Sequence, residues 1–170
     1  MRLVLLGDPV AHSRSPAIQA AALLAAGIEG TYEARRVDVE GVYLACAEIR
    51  SGGLRGANVT MPHKRIAAVA SDRLSATAAR CGAVNTLVGE EGAVRGENTD
   101  VGGLLLAWER AGIPPGRPVL ILGGGGAAAA ALVALAGSDL AVATRRPGAG
   151  EALAASLGVA ASGLDWGRPR

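Results

Sequence analysis

The sequence predicts an α/β fold with a mainly parallel sheet, and two observations support this prediction. Apolar runs of strand length alternate with alanine- and leucine-rich helical stretches along the whole chain, as they do in successive β-α-β units. Half of the 170 residues are hydrophobic and only 19% are charged, a composition typical of globular rather than disordered chains. A chain of this length forms one large domain or two small ones.

The first part of the chain shows both strand and helix signals. Ser15 is predicted to cap the first helix because Pro16 would occupy the first helical position. Glu90, Glu91 and Gly92 are predicted to form the turn of a hairpin. The predicted elements are, in order, a strand over 2–6, a helix from Ser15 to Gly27, a strand over 32–37, a helix over 40–50, a strand through Gly56 to Val59, a helical stretch opened by Pro62, and a hairpin over 83–95.

The second part continues the alternation after a proline cluster. Pro114, Pro115, Gly116 and Pro118 give the strongest boundary signal in the chain. The elements predicted around this cluster are a helix over 101–111 that ends at Gly112, a strand over 119–122, an alanine-rich helix after four glycines, a strand over 140–143, a helix over 148–157, and the start of a strand near Val159.

Composition excludes several classes of partner. A net charge of +2 leaves no basic surplus for a phosphate backbone, and two Trp and two Tyr offer no stacking platform, so nucleic acid is not expected to bind. The apolar segment 3–6 is too short for a signal-peptide core or a membrane span, which predicts a cytoplasmic protein without a membrane partner. Cys46 and Cys81 lack metal-ligand spacing and are predicted to be buried thiols, and no metal site is predicted.

The glycine run suggests a phosphate-binding turn. Gly123, Gly125 and Ala128 have the spacing of the dinucleotide-binding fingerprint and lie between a predicted strand and a predicted helix. Glycines in such a turn let the backbone approach a pyrophosphate, whose charge is met by the N–H groups at the start of the helix. A plain glycine-rich turn that packs a helix close to a strand is the alternative.

The end of the next strand indicates which dinucleotide would bind. An enzyme that uses NAD usually places an acidic residue there for the ribose 2′-hydroxyl, whereas this chain has Thr144, Arg145 and Arg146. Arginine can bind a 2′-phosphate bidentately, so the sequence favours NADP over NAD. Two solvated arginines in a turn are the alternative.

A second group of polar residues lies at strand ends in the first hundred residues, where open α/β sheets bind ligands. Such a set could hydrogen-bond a small polyhydroxylated acid. Taken singly, the members have ordinary roles as helix cap, turn formers or exposed charge. Lys64 stands out because the other 16 basic residues are all Arg. The set comprises Ser13, Ser15, Asn58, Thr60, Lys64, Asn85, Asn98, Thr99 and Asp100.

Five motifs together resemble the shikimate dehydrogenase family: LGDPVAHSRSP, GANVTMPHK, GAVNTL, GENTD and LGGGGAA, in that order. The resemblance covers essentially the whole chain and implies reversible, NADPH-dependent reduction of 3-dehydroshikimate to shikimate. It implies a substrate-binding α/β domain over residues 1–100 and the first half of a Rossmann-type NADP-binding domain over residues 101–170. The residue roles that it implies are substrate carboxylate binding by Ser13 and Ser15, ring binding by Thr60, Asn85 and Asp100, a catalytic pair of Lys64 and Asp100, and cofactor binding by Gly123, Gly124, Gly125, Gly126, Ala127, Thr144, Arg145 and Arg146.

The chemistry of carbonyl reduction agrees with the role that the resemblance implies for Lys64. Hydride transfer leaves negative charge on the carbonyl oxygen, so a cation that can also release a proton is needed there. Lysine meets this need and arginine does not, because the guanidinium stays protonated. His12 and His63 are rival acid-base candidates.

Two alternatives to this function stay open, and so does the oligomeric state. The chain could act on quinate as well as shikimate, or it could be a non-catalytic binding module; a homodimer is also compatible with the sequence.

The sequence departs from the family pattern at Gly124, where Ala is common. Family members are also longer, so we expect the cofactor sheet to be incomplete over these 170 residues and the chain to lack the later Tyr and Gln substrate contacts.

Overall fold

The computed structural model describes residues 1–166, which divide into two compact units of α/β type. The first unit comprises Met1–Ala79 and Ala83–Asn98, and the second begins again at Thr99 after a short contribution from Arg80–Gly82. The elements are β1 Arg2–Gly7, α1 Ser15–Ala25, β2 Thr31–Arg36, α2 Val39–Arg50, β3 Gly56–Val59, α3 Lys64–Ala70, β4 Arg73–Leu74, α4 Ala76–Cys81, β5 Thr86–Glu90, β6 Ala93–Glu97, α5 Asp100–Arg110, β7 Val119–Leu122, α6 Gly126–Ala134, β8 Leu140–Thr144, α7 Ala149–Ser156 and β9 Ser162–Asp165.

The sheet of the first unit has three parallel and two antiparallel strand pairs among the described residues, so a hairpin is added to the parallel arrangement that was predicted. Its strand order, over the part of the chain that the structure describes, is β2-β1-β3-β5-β6-β4. β1 pairs in parallel with β2 and β3, whereas β5 is antiparallel to both β3 and β6. The predicted hairpin is the source of the antiparallel pairs: Glu91 and Gly92 have φ values of 51° and 78°, which suit a tight two-residue hairpin turn.

One face of this sheet forms the hydrophobic core of the first unit. Alternate residues of a strand point to opposite faces, so Val4 and Leu6 of β1 share a face with Ala57 and Val59 of β3. These side chains are buried against α2 and α3, which contribute Val42, Cys46, Ile49, Ala67 and Ala70. The intervening residues of the strands therefore lie on the opposite face, where the polar side chains described below are found.

The second unit contains a parallel sheet of order β7-β8-β9 within the described residues. Its core combines Ile121 and Val142 of the strands with Leu132 of α6 and Leu153 of α7. Leu104 and Trp108 of α5 also pack against this core. Because α5 belongs to the second unit, the compact units divide before α5 and not at the proline cluster; the domain bounds 1–100 and 101–170 that the resemblance implies stay a prediction.

Three further local predictions differ from the structure. Ser15 is the first residue of α1 rather than its cap, since Arg14 holds the cap position and the Ser15 N–H donates to Ser13 Oγ at 3.2 Å. β4 and α4 were not predicted, because two and six residues are too few to show a period. β9 begins at Ser162, three residues after the predicted start. No helix formed by residues 1–166 has the length and hydropathy needed to cross a membrane.

Candidate active site

Three of the predicted substrate residues line one cavity at the carboxyl ends of β1 and β3. Ser13, Ser15 and Thr60 surround a cavity of about 270 Å³ in the first unit. Ser13 lies in the loop after β1, Ser15 begins α1, and Thr60 directly follows β3. The other lining residues are Leu5, Pro9, Val10 and His12. The cavity therefore combines hydroxyl groups with an apolar wall, as a site for a small polar ring requires.

The wall that carries Thr60 is held by backbone contacts between the two strand ends. The Thr60 N–H donates to Leu6 O at 2.9 Å, and the Asp8 N–H donates to Met61 O at 3.0 Å. Gly7 lies between these contacts, and a Cβ built on it would overlap Thr60 Cγ2. The absence of a side chain at residue 7 therefore allows the Thr60 side chain to occupy its present position.

Lys64 begins α3, four residues after Thr60. Its carbonyl accepts a hydrogen bond from the Val84 N–H at 2.8 Å. In the turn before α3, the His63 N–H donates a hydrogen bond to Thr60 O at 3.0 Å. His63 is 4% exposed, and its Nε2 lies 2.8 Å from Val37 O. A carbonyl only accepts hydrogen bonds, so Nε2 carries the proton, while Nδ1 has no partner among the described residues. The Lys64 backbone is thus held to the segment before β5, and the His63 side chain before it is held to the residue that follows β2.

Asn85 directly precedes β5 and contacts a network of polar side chains on the sheet face opposite the core. Its Oδ1 accepts the Thr86 hydroxyl at 3.1 Å, and its carbonyl accepts the Val59 N–H at 2.8 Å. Asn58 contacts Thr86 and also accepts the Tyr32 hydroxyl at 2.8 Å. Asn58 and Asn85 were predicted site residues, whereas Tyr32 and Thr86 were not, because the contacts of Asn58 with Tyr32 and Thr86 depend on strand register.

Asn98, Thr99 and Asp100 span the end of the first unit and the start of the second. Asn98 is buried, and its Nδ2 donates to Ala83 O at 2.9 Å. Asp100 begins α5, with Thr99 in the cap position. The pairing of Asp100 with Lys64 remains a prediction, as does the role of each substrate residue.

The predicted phosphate-binding turn lies between β7 and α6. Gly123 has a φ of 115°, which favours glycine, and its N–H donates to Ala143 O at 2.9 Å. Gly125 caps α6 without a side-chain hydrogen bond, so the first N–H groups of this nine-residue helix receive no side-chain cap. A Cβ on Gly123 or Gly125 would meet nothing within 4 Å. The turn therefore has the room and the N–H donors that a pyrophosphate requires.

The predicted 2′-phosphate residues follow β8, next to this turn. Thr144 is buried, and a Cβ on Gly124 would lie 3.3 Å from Thr144 Cγ2. The Thr144 hydroxyl donates to Arg146 O at 2.8 Å, which fixes the backbone on which Arg145 and Arg146 extend into solvent. Over the described residues, no group of three His, Cys, Asp or Glu could hold a metal ion.

A polar cavity in one α/β unit and an open glycine turn in a second are the combination typical of dehydrogenases that use a nicotinamide cofactor. Comparisons with known proteins make this class specific. The family model described as shikimate dehydrogenase substrate binding domain matches residues 5–87. The chain belongs to the shikimate dehydrogenase family.

Individual relatives agree with this assignment. The chain is 45% identical over 155 residues to the shikimate dehydrogenase (NADP(+)) of an Anaeromyxobacter species, and the aligned residues cover 90% of this chain and 56% of the relative. It is 43% identical over 170 residues to the shikimate dehydrogenase (NADP(+)) of Thermus thermophilus, and the aligned residues cover 99% of this chain and 64% of the relative. The crystal structure of the Thermus thermophilus shikimate 5-dehydrogenase in complex with NADP(H) and shikimate matches with a TM-score of 0.85 at 44% identity, over 95% of this chain and 62% of that one. The chain therefore spans about 56–64% of the length of these curated relatives.

Proposed function

We propose that this chain provides the substrate site and the phosphate-binding part of the cofactor site of an NADPH-dependent shikimate dehydrogenase. The observation that carries the proposal is the convergence of Ser13, Ser15 and Thr60 on one cavity. The first compact unit would be the substrate-binding domain. The second, with its parallel sheet and glycine turn, would be the first half of a Rossmann-type domain.

The cavity residues suit a hydroxylated cyclic acid. The hydroxyls of Ser13 and Ser15 can donate to the substrate carboxylate, and the Leu5 and Val10 side chains can pack against the carbon ring. Thr60 and Asn85 would bind ring oxygens, together with Asp100. Quinate shares the carboxylate and several of the hydroxyls, so comparing the turnover of the two acids distinguishes the two specificities.

Lys64 would carry the proton chemistry. When bound, NADPH supplies the hydride, and the carbonyl oxygen of 3-dehydroshikimate then gains an electron pair. The Lys64 ammonium stabilises this charge and donates a proton to the oxygen; in the reverse direction the neutral amine accepts the proton of the shikimate hydroxyl. Asp100 would hold the ammonium in position by a charge-assisted hydrogen bond.

The experiment uses a chimera in which residues 1–166 precede the C-terminal third of the Thermus relative. We expect it to reduce NADP⁺ at saturating shikimate and to do so more slowly with quinate. Binding of shikimate to the 170-residue chain, followed by NMR, provides a parallel test that does not depend on folding of the chimera. Absence of both turnover and binding would refute the proposal.

The cofactor proposal predicts a measurable role for Arg145. We expect the chimera to favour NADP over NAD by about 1–3 kcal/mol, the range for hydrogen bonds to a charged group. Arg145→Ala should remove most of this preference, whereas Arg117→Ala, at an exposed arginine before β7, should leave it unchanged. The measurement is the KM for each cofactor, and equal KM values in the unmutated chimera would contradict the assignment.

Two further proposals concern the cellular location and the oligomeric state. Cys46 and Cys81 are free, buried thiols, which supports a reducing compartment and hence a cytoplasmic location. A homodimer remains a prediction that analytical ultracentrifugation would test.

A further inference from the structure

A second cavity, of about 630 Å³, lies at the opposite edge of the first sheet from the proposed substrate site. The substrate cavity is at the carboxyl ends of β1 and β3, whereas this cavity is at their amino ends and extends to the turn between β5 and β6. Its volume is within the usual range of small-molecule sites, about 300–1,000 Å³. The charged side chains that line it are Arg2, Arg50, Arg55, Glu90 and Glu91.

Two of these side chains, Arg2 and Arg55, lie side by side on the sheet. Leu3 is paired with Gly56 in the parallel ladder of β1 and β3, so the residues that precede them are neighbours. The Arg55 N–H donates to Arg2 O at 2.9 Å. Alternate residues of a strand share a face, so both arginine side chains lie on the face that α2 covers. Like charges at neighbouring positions repel each other and destabilise a sheet.

No carboxylate of residues 1–166 pairs with either arginine. Arg2 Nη1 has one long contact, 3.5 Å to Gly53 O, and Arg55 Nη1 donates to Gly89 O. Both partners are neutral backbone carbonyls, so the guanidinium groups keep their charge and most of their N–H donors. The last carbonyls of α2 do not neutralise them either, because those carbonyls accept hydrogen bonds from backbone N–H groups of residues 51–54.

The other charged groups that line the cavity do not cancel this charge. Arg50 is paired with Asp72, and Glu90 is paired with Arg95, each at 2.9 Å. Glu91 is exposed in the turn between β5 and β6. Two arginine charges are therefore balanced by only one exposed carboxylate, which leaves the cavity positive.

We propose that this cavity binds a phosphate monoester, whose phosphoryl group is held by Arg2 and Arg55. A phosphoryl group carries about 1.5–2 negative charges at neutral pH and has three acceptor oxygens, so it can neutralise both guanidinium groups at once. A carboxylate carries one charge and two oxygens, which a single arginine satisfies by a bidentate contact. The cavity is larger than a phosphate group and therefore also accommodates the organic part of the ligand. This site is separate from the substrate cavity and does not depend on the function proposed above.

Inorganic phosphate is the probe, and the ¹⁵N–¹H spectrum of the 170-residue chain locates where it binds. At constant ionic strength, we expect phosphate to shift the backbone amide signals of residues 52–55 and 89–92. In the same titration, the signals of residues 123–126 report the phosphate site proposed for the cofactor. Acetate should bind at residues 52–55 about tenfold more weakly, the usual loss of one hydrogen bond to a charged group.

Substitutions of the two arginines test the proposed contacts. Arg2→Gln and Arg55→Gln should each weaken phosphate binding at residues 52–55 about tenfold and leave the affinity measured at residues 123–126 unchanged. Arg110→Ala, at an exposed arginine of α5, is the matched control and should change neither affinity. Glu91→Gln should strengthen phosphate binding about two- to threefold, because it removes an exposed negative charge from the cavity.

Three results would overturn the proposal. They are phosphate shifts confined to residues 123–126, an affinity at residues 52–55 that is the same in Arg2→Gln and wild type, and binding of acetate as tight as that of phosphate. The Arg55 guanidinium also contacts Gly89 O, so Arg55→Gln could unfold the chain. Arg2→Gln then decides the test, because the exposed Arg2 side chain makes only one long contact among the described residues.

Discussion

Lys64 combines an unusual residue type with a fixed backbone. It is the single Lys among 17 basic residues. The preceding residue, His63, is hydrogen-bonded to Val37 O through its ring, and the Lys64 carbonyl accepts the Val84 N–H. A lysine side chain has four rotatable bonds, so a fixed backbone restricts where its ammonium can reach. Arg65, the next residue, is exposed and provides a matched comparison.

Replacement of Lys64 should remove catalysis without removing cofactor binding. In the chimera described above, we expect Lys64→Ala to lower kcat by about 10²–10⁴, the effect of a positioned acid-base group. Lys64→Arg should not restore it, because arginine keeps its proton. Arg65→Ala should change kcat less than twofold, and a Lys64→Ala variant that keeps more than a tenth of the kcat would exclude Lys64 from proton transfer.

Gly7 controls the shape of the proposed substrate cavity. A Cβ at this position would overlap Thr60 Cγ2 and lie 2.8 Å from Val10 Cγ1. We therefore expect Gly7→Ala to lower the free energy of unfolding by about 1–3 kcal/mol, as overpacking does, and to weaken shikimate binding. Gly102→Ala on α5, where a Cβ meets nothing within 4 Å, should instead stabilise the chain by up to about 1 kcal/mol. Urea denaturation measures both, and equal stability of Gly7→Ala and wild type would contradict the account.

At the scale of elements, Asp72 connects α2 to β6. Its carboxylate accepts two hydrogen bonds from Arg50, at 2.9 and 3.0 Å, and one from the Val94 N–H at 2.8 Å. Arg50 also donates to Ala70 O. These bonds, the Arg50 contact first and Val94 second, lower the pKa of Asp72. Both side chains of the ion pair are over a third exposed. Solvent therefore screens the interaction, and its contribution to the free energy of unfolding is modest.

The lowered pKa of Asp72 gives a definite pH dependence. A carboxyl with a lower pKa in the folded chain stabilises the fold above its unfolded pKa, about 3.9, and this contribution is lost as the pH falls through the folded value. We expect Asp72→Asn to reduce the free energy of unfolding by about 0.5–1 kcal/mol at pH 7. The difference from wild type should disappear between about pH 4 and 2. Glu109→Gln on α5 controls for net charge, and a constant difference across this range would contradict the prediction.

The elements also show how far sequence reasoning reaches. β1 and β7 could be located because each is a continuous apolar run, and α6 because its alanines directly follow a glycine-rich turn after a predicted strand. The Tyr32–Asn58 contact could not be predicted, because β1 lies between their strands and the register of three strands is not encoded locally. The proline cluster was misleading for a related reason: a break in the chain is local, whereas the packing of Leu104 and Trp108 that assigns α5 to the second unit is not.

At the scale of the whole molecule, the second unit exposes an apolar surface on β7. Ile121 is buried, but Leu120 and Leu122 are 54% and 61% exposed, whereas strands of parallel sheets are normally covered on both faces. Over residues 1–166, β7 pairs with β8 and no other strand. The relatives extend well beyond the matched length, and a dinucleotide site is built from two β-α-β halves.

Expressed by itself, the 170-residue chain should therefore show less than about 1% of the turnover of the Thermus relative. The glycine turn and Arg145 can hold the phosphate groups of a dinucleotide, but the strands that position the nicotinamide ring in such folds follow the third strand. Correct placement of two reactants contributes roughly 7–11 kcal/mol to lowering a reaction barrier, far more than any one contact. The exposed face of β7 should also make the chain self-associate as its concentration rises. Circular dichroism confirms folding, sedimentation follows association, and NADP⁺ reduction at saturating shikimate measures turnover; robust turnover by the purified monomer would show that residues 1–170 already contain everything that hydride transfer requires.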